Sequence, residues 1–256
     1  MGYTSQSNRP LHIQTILKLL ALIKDQVSTT SEGEGRELIK LGAAIVTALA
    51  GSLRGQEVFM LDLGGIRCHI HRGKDGTLPE KPMKVGIDLT GAPHVYLALV
   101  GKFKGELGVR EHLVAVASTT KSGVEVRWWL EQLIRVREEE GYTSGPAFGQ
   151  ADGSLGFMSD YDAMLHDFLK TLQLDPCSNI DADNDVVGNY SFFRTFRKTA
   201  EDRARAANLD SNIQNAMNRW KKVERAKGRR PRFDMIDHYS SARALMPVTW
   251  RYSYVQ

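Results

Sequence analysis

The first fifty residues carry apolar positions at the three- and four-residue spacing of amphipathic helices. Residues 11–27 gather isoleucines and leucines on one face, which predicts a helix with one buried side. Residues 37–50 are apolar on nearly every side, which predicts a second and largely buried helix. The polar residues 28–35 between them predict a loop, with Thr30 or Ser31 as the cap of the second helix.

A short break after residue 50 precedes the next apolar run, in which the pattern predicts a helix that opens on Arg54. That helix would direct Leu61 and Leu63 toward the core and leave Arg54 and Glu57 at its start. An arginine in this place is expected to be held by the fold rather than by a loop.

Residues 64–117 differ in character, because glycine, proline and lysine separate short β-prone segments. The segments predict a small antiparallel sheet with strands at residues 66–71, 83–89, 95–100 and 113–117. Lys102 and Lys104 lie between the last two segments, where a hairpin turn is expected.

The rest of the chain is again helical in pattern. Helices are predicted over residues 128–140, 161–174, 211–220 and 233–246, and a further helix within residues 187–207 is predicted to begin after Asn189 or Ser191. Residues 1–10 predict a flexible lead-in and residues 247–256 a C-terminal tail. No repeat or low-complexity linker interrupts the sequence, so residues 11–246 are predicted to form one α+β domain, mostly helical with a small antiparallel sheet.

The distribution of charge favours an anionic partner. The 256 residues have a formal net charge of +4. Residues 193–232 hold thirteen lysines and arginines against four acidic residues, a density suited to phosphate groups. The alternative is a solvated helix face that the acidic residues 175–185 balance.

The two cysteines, Cys68 and Cys177, have no paired or metal-ligand spacing, so the sequence predicts neither a disulfide framework nor a metal site. No apolar run has the length of a membrane span, and the first residues lack the apolar core of a signal peptide. We therefore expect an intracellular protein without a membrane partner, in the nucleus of a eukaryote or otherwise in the cytoplasm or nucleoid.

The stretch GSLRGQEVFMLDL at residues 51–63 resembles the first arginine box of the tyrosine recombinases, the phage-type integrases. Its arginine is Arg54, and Glu57 is expected to support it. The resemblance implies the recombinase catalytic domain, in a divergent form similar to those of eukaryotic mobile elements. The N-terminal core-binding domain that normally accompanies it is expected to be absent.

The second arginine box of that family resembles YSFFRTFRKTAEDRA at residues 190–204. With Arg197 as its arginine, Trp220 follows 23 residues later, where the family has histidine or tryptophan. If Arg194 took that role, Met217 would stand there instead, and methionine donates no hydrogen bond. The Arg197 register is therefore preferred.

The resemblance implies a set of catalytic residues, namely Arg54, Lys104, Arg194, Arg197, Trp220 and Tyr239, with Glu57 and Lys102 in support. The two box arginines would clamp the phosphate, and Lys104 (or Lys102) would protonate the departing 5′-oxygen. Tyr239 would attack the phosphorus, although it lies farther beyond Trp220 than is usual in the family. Tyr252 and Tyr254 are alternative nucleophiles in the predicted tail.

One position departs from the family pattern. Arg194 stands three residues before Arg197, where the family has histidine. Arginine cannot act as a general base, although it can stabilise phosphate charge. Activation of the nucleophile is therefore more affected by this departure than DNA binding is.

The implied function is site-specific DNA recombination through a 3′-phosphotyrosine, with double-stranded DNA as partner, no cofactor, and a homo-oligomer, a tetramer on paired sites. The residues expected to contact DNA are Lys198, Lys221, Lys222, Arg229, Arg230 and Arg232. Alternatives are an inactive DNA-binding relic, DNA relaxation like that of type IB topoisomerases, and an unrelated helical nucleic-acid-binding protein.

Overall fold

The computed structural model describes residues 9–69, 80–82, 94–101, 109–175, 180, 185–210, 213–214, 217 and 250–256. The helices of this part are α1 (Ile13–Val27), α2 (Glu32–Ala50), α3 (Gly55–Val58), α4 (Val126–Glu139), α5 (Met158–Gln173), α6 (Val186–Asn189) and α7 (Thr195–Ala206). Its strands are β1 (Leu61–His69), β2 (Glu80–Pro82), β3 (His94–Gly101) and β4 (Arg110–Ala117). The predicted α+β class, with helices in the majority, is confirmed.

Helix α2 is the central helix of the fold, since its small and aliphatic residues are buried on almost every side. It packs against α1, α4 and α7. The contact with α4 depends on Gly42, because a Cβ there would lie 2.1 Å from Cζ3 of Trp129. The helix begins at Glu32, inside the predicted loop, and Ser31 precedes it without a side-chain capping bond. Glutamates in the first turn favour this early start through the helix dipole.

The four strands form one antiparallel sheet in the order β2-β1-β3-β4. Strands β3 and β4 pair in continuous register, which confirms the strands predicted at residues 95–100 and 113–117. The register of β1 on β3 shifts between Leu61 and Ile66. Gly65 lies within this irregularity, where a Cβ would meet the Ala98 carbonyl oxygen at 2.5 Å. The strand predicted at residues 83–89 lies outside the described residues.

The prediction of a helix that opens on Arg54 is correct for one turn and wrong beyond it. Helix α3 ends at Val58, and Leu61 and Leu63 belong to β1. Both leucines are buried as predicted, but they share a face as alternate residues of a strand. Pairing of Leu61 with Leu99 of β3 overrides the helical pattern here.

The helix predicted within residues 187–207, beginning after Asn189 or Ser191, corresponds to α7, which begins at Thr195. The short helix α6 precedes it, with residues 190–194 between them. Two side chains of α5 bind the backbone of this interruption. Asp162 accepts a hydrogen bond from the Phe192 N–H, and Nε2 of His166 lies 2.8 Å from the Tyr190 carbonyl oxygen. These side-chain bonds take backbone groups that a continuous helix would have used.

Residues 250–256 differ from the predicted tail. Residues 250–254 are helical, and Tyr252, Ser253 and Gln256 are fully buried. The Ser253 hydroxyl oxygen accepts a hydrogen bond from the Ala117 N–H at 2.9 Å, at the end of β4. We name residues 250–256 the C-terminal segment.

Candidate functional site

Arg54 enters the site through a tight turn at the end of α2. Ser52 has a left-handed backbone with φ of 49°, and the Leu53 N–H donates to the Ala48 carbonyl at 2.9 Å. Arg54 follows in an extended conformation, and its own N–H donates to Oε2 of Glu57 at 2.9 Å. The turn therefore fixes the backbone from which the Arg54 side chain projects.

Glu57 lies at the centre of the site, with 4% of its surface exposed. Its Oε1 accepts a hydrogen bond from Nη1 of Arg54 at 2.8 Å. Its Oε2 lies 3.4 Å from Nη1 of Arg197, a residue 140 positions farther along the chain. One carboxylate thus joins the arginines of two distant elements, α3 and α7.

Arg197 is held from a second side by its own helix. Its Nε donates to Oε1 of Glu201 at 3.0 Å, and its side chain is 6% exposed, against 30% for Arg54. Glu201 is not among the predicted site residues, although its i,i+4 spacing from Arg197 is the usual signal of such a pair. Between them, Glu57 and Glu201 balance the charge of both arginines.

The two halves of the site approach closely because Gly55 has no side chain. Its N–H donates to the Phe193 carbonyl at 3.1 Å, which joins α3 directly to the residues before α7. A Cβ on Gly55 would lie 3.0 Å from both the Phe193 Cα and Sδ of Met158. A glycine here therefore lets the Arg54 box and the Arg197 box meet.

Two further basic residues flank this pair. Arg194 precedes α7 and is exposed, with its guanidinium carbon 5.3 Å from the centre of the Phe193 ring. Lys198 follows Arg197 on α7 and is half-buried. Both add positive charge at the N-terminal end of α7, where the helix dipole also favours anions.

The structure therefore brings together Arg54, Glu57 and Arg197, with Arg194 and Lys198 close by in sequence. The other predicted site residues lie outside the described residues: Lys102, Lys104, Trp220, Lys221, Lys222, Arg229, Arg230, Arg232 and Tyr239. The two lysines of the predicted turn fall between Gly101 and Arg110, which are paired across β3 and β4. Met217, which the Arg194 register would place in the site, is 1% exposed in the core.

The two alternative tyrosines differ in their surroundings. Tyr252 is fully buried, and its hydroxyl lies 3.3 Å from Oγ of Ser52. Tyr254 is 41% exposed and stacks on Trp250, with ring centres 5.2 Å apart. The contact of Tyr252 with the turn before Arg54 has no signal in the sequence.

A second buried group of charges lies away from the arginine pair. Lys40 of α2 and Arg137 of α4 are fully buried, and Glu140 binds both. Arg137 also donates to the carbonyls of Gly149 and Gln150 at 3.1 and 2.9 Å. These bonds attach the loop after α4 to the helices, so we interpret the group as structural.

No protein-family model matches the chain, and no curated protein matches its sequence. Among the described residues, no group of three or more histidine, cysteine or acidic side chains is placed to hold a metal ion. None of the described helices combines the length and the apolar character that crossing a bilayer requires. The function is therefore inferred from the geometry around Glu57.

Proposed function

We propose that this protein cuts and rejoins double-stranded DNA in the manner of the tyrosine recombinases. The observation that carries the proposal is the shared Glu57 carboxylate, which places Arg54 and Arg197 side by side. The resemblance requires this convergence of two boxes far apart in the sequence. Arginines on opposite faces of the fold would have contradicted it.

The arginine pair suits the chemistry of phosphoryl transfer. Attack on a phosphodiester builds negative charge on the non-bridging oxygens, and guanidinium groups can bind two such oxygens at once. Charge stabilisation of this kind is most effective when the donors are already fixed in position. Glu57 and Glu201 fix Arg197, while the side chain of Arg54 is 30% exposed and so accessible to a DNA phosphate.

The remaining roles come from the resemblance. The Tyr239 oxygen attacks phosphorus, Lys104 or Lys102 gives a proton to the departing 5′-oxygen, and Trp220 donates a hydrogen bond to the phosphate. Free tyrosine has a pKa near 10, so about one phenol in a thousand is ionised at pH 7. Neighbouring cations must therefore favour the phenolate. The bond energy is retained in the phosphotyrosine, so the proposed reaction uses no nucleotide cofactor.

A second candidate function is DNA binding without cleavage. It is favoured by Arg194, which is exposed and occupies the position where the family has histidine. An arginine at that position cannot take the tyrosine proton. In this case the arginine pair would still bind phosphate, and assembly on paired DNA sites, proposed here as a tetramer, would still be possible.

Covalent trapping separates the two candidates. The protein is incubated with nicked duplexes taken from the genomic DNA that flanks its gene, and detergent-resistant protein–DNA adducts are measured. We expect an adduct that Tyr239→Phe abolishes and that Arg54→Ala reduces by about 100-fold or more, as for other lost charge-stabilising groups. Tyr254→Phe is the matched control and should retain the adduct.

Other outcomes assign the function differently. An adduct that survives Tyr239→Phe would move the nucleophile to Tyr252 or Tyr254, in the C-terminal segment. Salt-sensitive DNA binding that Arg54→Ala weakens, without any adduct, would favour the inactive relic. DNA binding that does not depend on Arg54 would contradict both candidates.

A further inference from the structure

The C-terminal segment is built into the core of the fold. Tyr252, Ser253 and Gln256 are all fully buried, and Nε2 of Gln256 donates to the Tyr252 carbonyl at 2.9 Å. The backbone of the segment is also hydrogen-bonded to the rest of the fold, because the Lys121 N–H donates to the Tyr254 carbonyl at 2.7 Å. These seven residues therefore form a fixed part of the molecule.

One contact of the segment leads to the first arginine of the site. The Tyr252 hydroxyl lies 3.3 Å from Oγ of Ser52, and both side chains are fully buried. Ser52 has a left-handed backbone conformation and lies in the turn that precedes Arg54 by two positions. A left-handed conformation is unfavourable for serine, so it persists only where the surroundings hold it.

Another contact leads to the helix of the second arginine. Arg203 lies on α7, six residues after Arg197, and its Nη2 donates to the Val255 carbonyl at 3.1 Å. The same guanidinium also binds Ser122 in the loop before α4. Because the Arg203 side chain is partly buried, desolvation lowers its pKa below the ordinary value for arginine. The segment thus contacts both the turn before Arg54 and the helix that carries Arg197.

We propose that the C-terminal segment is a brace that positions the two arginines, with Tyr252 as the positioning residue for Arg54 through Ser52. The expected contribution of Tyr252 to DNA binding rests on the proposed function. Its expected contribution to the stability of the turn before Arg54 does not.

The first test measures the backbone without DNA. Hydrogen exchange is followed at the N–H groups of Leu53 and Gly55, which bond to Ala48 and Phe193. Loss of one hydrogen bond of about 1 kcal/mol corresponds to a roughly fivefold faster exchange in Tyr252→Phe. Tyr254→Phe is the matched control, since phenylalanine retains the stacking on Trp250, and it should exchange as the parent protein does.

Substitution of Ser52, the hydrogen-bond partner of Tyr252, checks the exchange result independently. Ser52→Ala removes the same hydrogen bond from the other end, so it should speed exchange to the same extent as Tyr252→Phe. The double variant should add little to either single change. Exchange at Leu53 and Gly55 that is unchanged in Tyr252→Phe, or additive effects in the double variant, would overturn the brace.

The second test links the brace to the site. Dissociation constants are measured for a short duplex of random sequence, with and without Arg54→Ala. Tyr252→Phe should weaken binding roughly fivefold when Arg54 is present and have no effect in the Arg54→Ala background. An equal effect in both backgrounds would show that Tyr252 does not act through Arg54, and would overturn that role.

The two tests fail independently of each other. If Arg54→Ala leaves DNA binding unchanged, the proposed function fails, and the exchange measurements alone decide whether the brace exists. If Arg54→Ala weakens binding but Tyr252→Phe leaves exchange unchanged, the function stands and the brace is rejected.

Discussion

Replacement of Glu57 by alanine tests the centre of the site. The change removes the acceptor of three hydrogen bonds, from the Arg54 N–H and from the guanidinium groups of Arg54 and Arg197. It also leaves the buried guanidinium of Arg197 with one fewer carboxylate. Removing one partner of a buried ion pair typically costs about 3–5 kcal/mol, because the remaining charge stays buried.

The structure reduces this figure for two reasons. Arg197 keeps the bond from its Nε to Glu201 at 3.0 Å. The side chain of Arg54 is 30% exposed, so water can replace part of what it loses. We therefore expect Glu57→Ala to lower the free energy of unfolding by about 2–4 kcal/mol and Tm by roughly 5–15 °C.

The assay is urea denaturation followed by circular dichroism, with Glu201→Ala as the matched control. Glu201 binds Arg197 from the same helix and its side chain is 15% exposed, so its loss should cost only about 1 kcal/mol. A loss below about 1 kcal/mol in Glu57→Ala, or a larger loss in the control, would refute the view that Glu57 holds the arginine pair.

Glu57→Ala also distinguishes the positioning of the two arginines from the effect of net charge on DNA binding. Glu57→Ala removes a negative charge, so general electrostatic attraction to DNA should be retained or increased. If Glu57 fixes the arginines for catalysis, however, formation of the covalent adduct should fall sharply in the same protein. An adduct yield that follows the binding affinity would show that charge alone explains the effect.

Two other substitutions test the scaffold. Gly42→Ala would place a Cβ 2.1 Å from Cζ3 of Trp129, so the buried ring or the two helices must shift, at a cost of about 1–3 kcal/mol by urea denaturation. Unchanged stability would mean that the ring and the helices adjust without cost. Glu140→Ala would leave Lys40 with Glu37 and Arg137 with two carbonyls but without their shared carboxylate, which should lower stability by at most about 3–5 kcal/mol in calorimetry. A loss under about 1 kcal/mol would mean that the remaining partners or water replace it.

Much of the fold follows from the hydrophobic pattern. The periodicity predicts α1, α4 and α5 within a few residues of their observed bounds. It fails where tertiary bonds override local preference. Residues 61–63 join β3 as a strand. The side chains of Asp162 and His166 bind the backbone of Phe192 and Tyr190, and α7 begins a few residues later than the pattern predicts.

Less of the site is accessible to sequence reasoning. The pattern of the two boxes identifies Arg54 and Arg197, and an i,i+4 spacing could have added Glu201. No local signal connects Tyr252 to Ser52, since the two residues are 200 positions apart. The sequence predicts a short tail over residues 247–256, whereas the buried contacts of residues 250–256 come from three other elements.

The sequence also leaves undetermined how two distant arginines come to share one carboxylate. Gly55 permits the approach, because a Cβ there would lie only 3.0 Å from the Phe193 Cα. Glu57 then makes the approach favourable, since it is the acceptor common to both guanidinium groups. Burial of that carboxylate increases the strength of both interactions but makes them costly to break. An arginine pair held in this way has a fixed geometry before any phosphate arrives, which is the condition under which its charge can act on a transition state rather than only on binding.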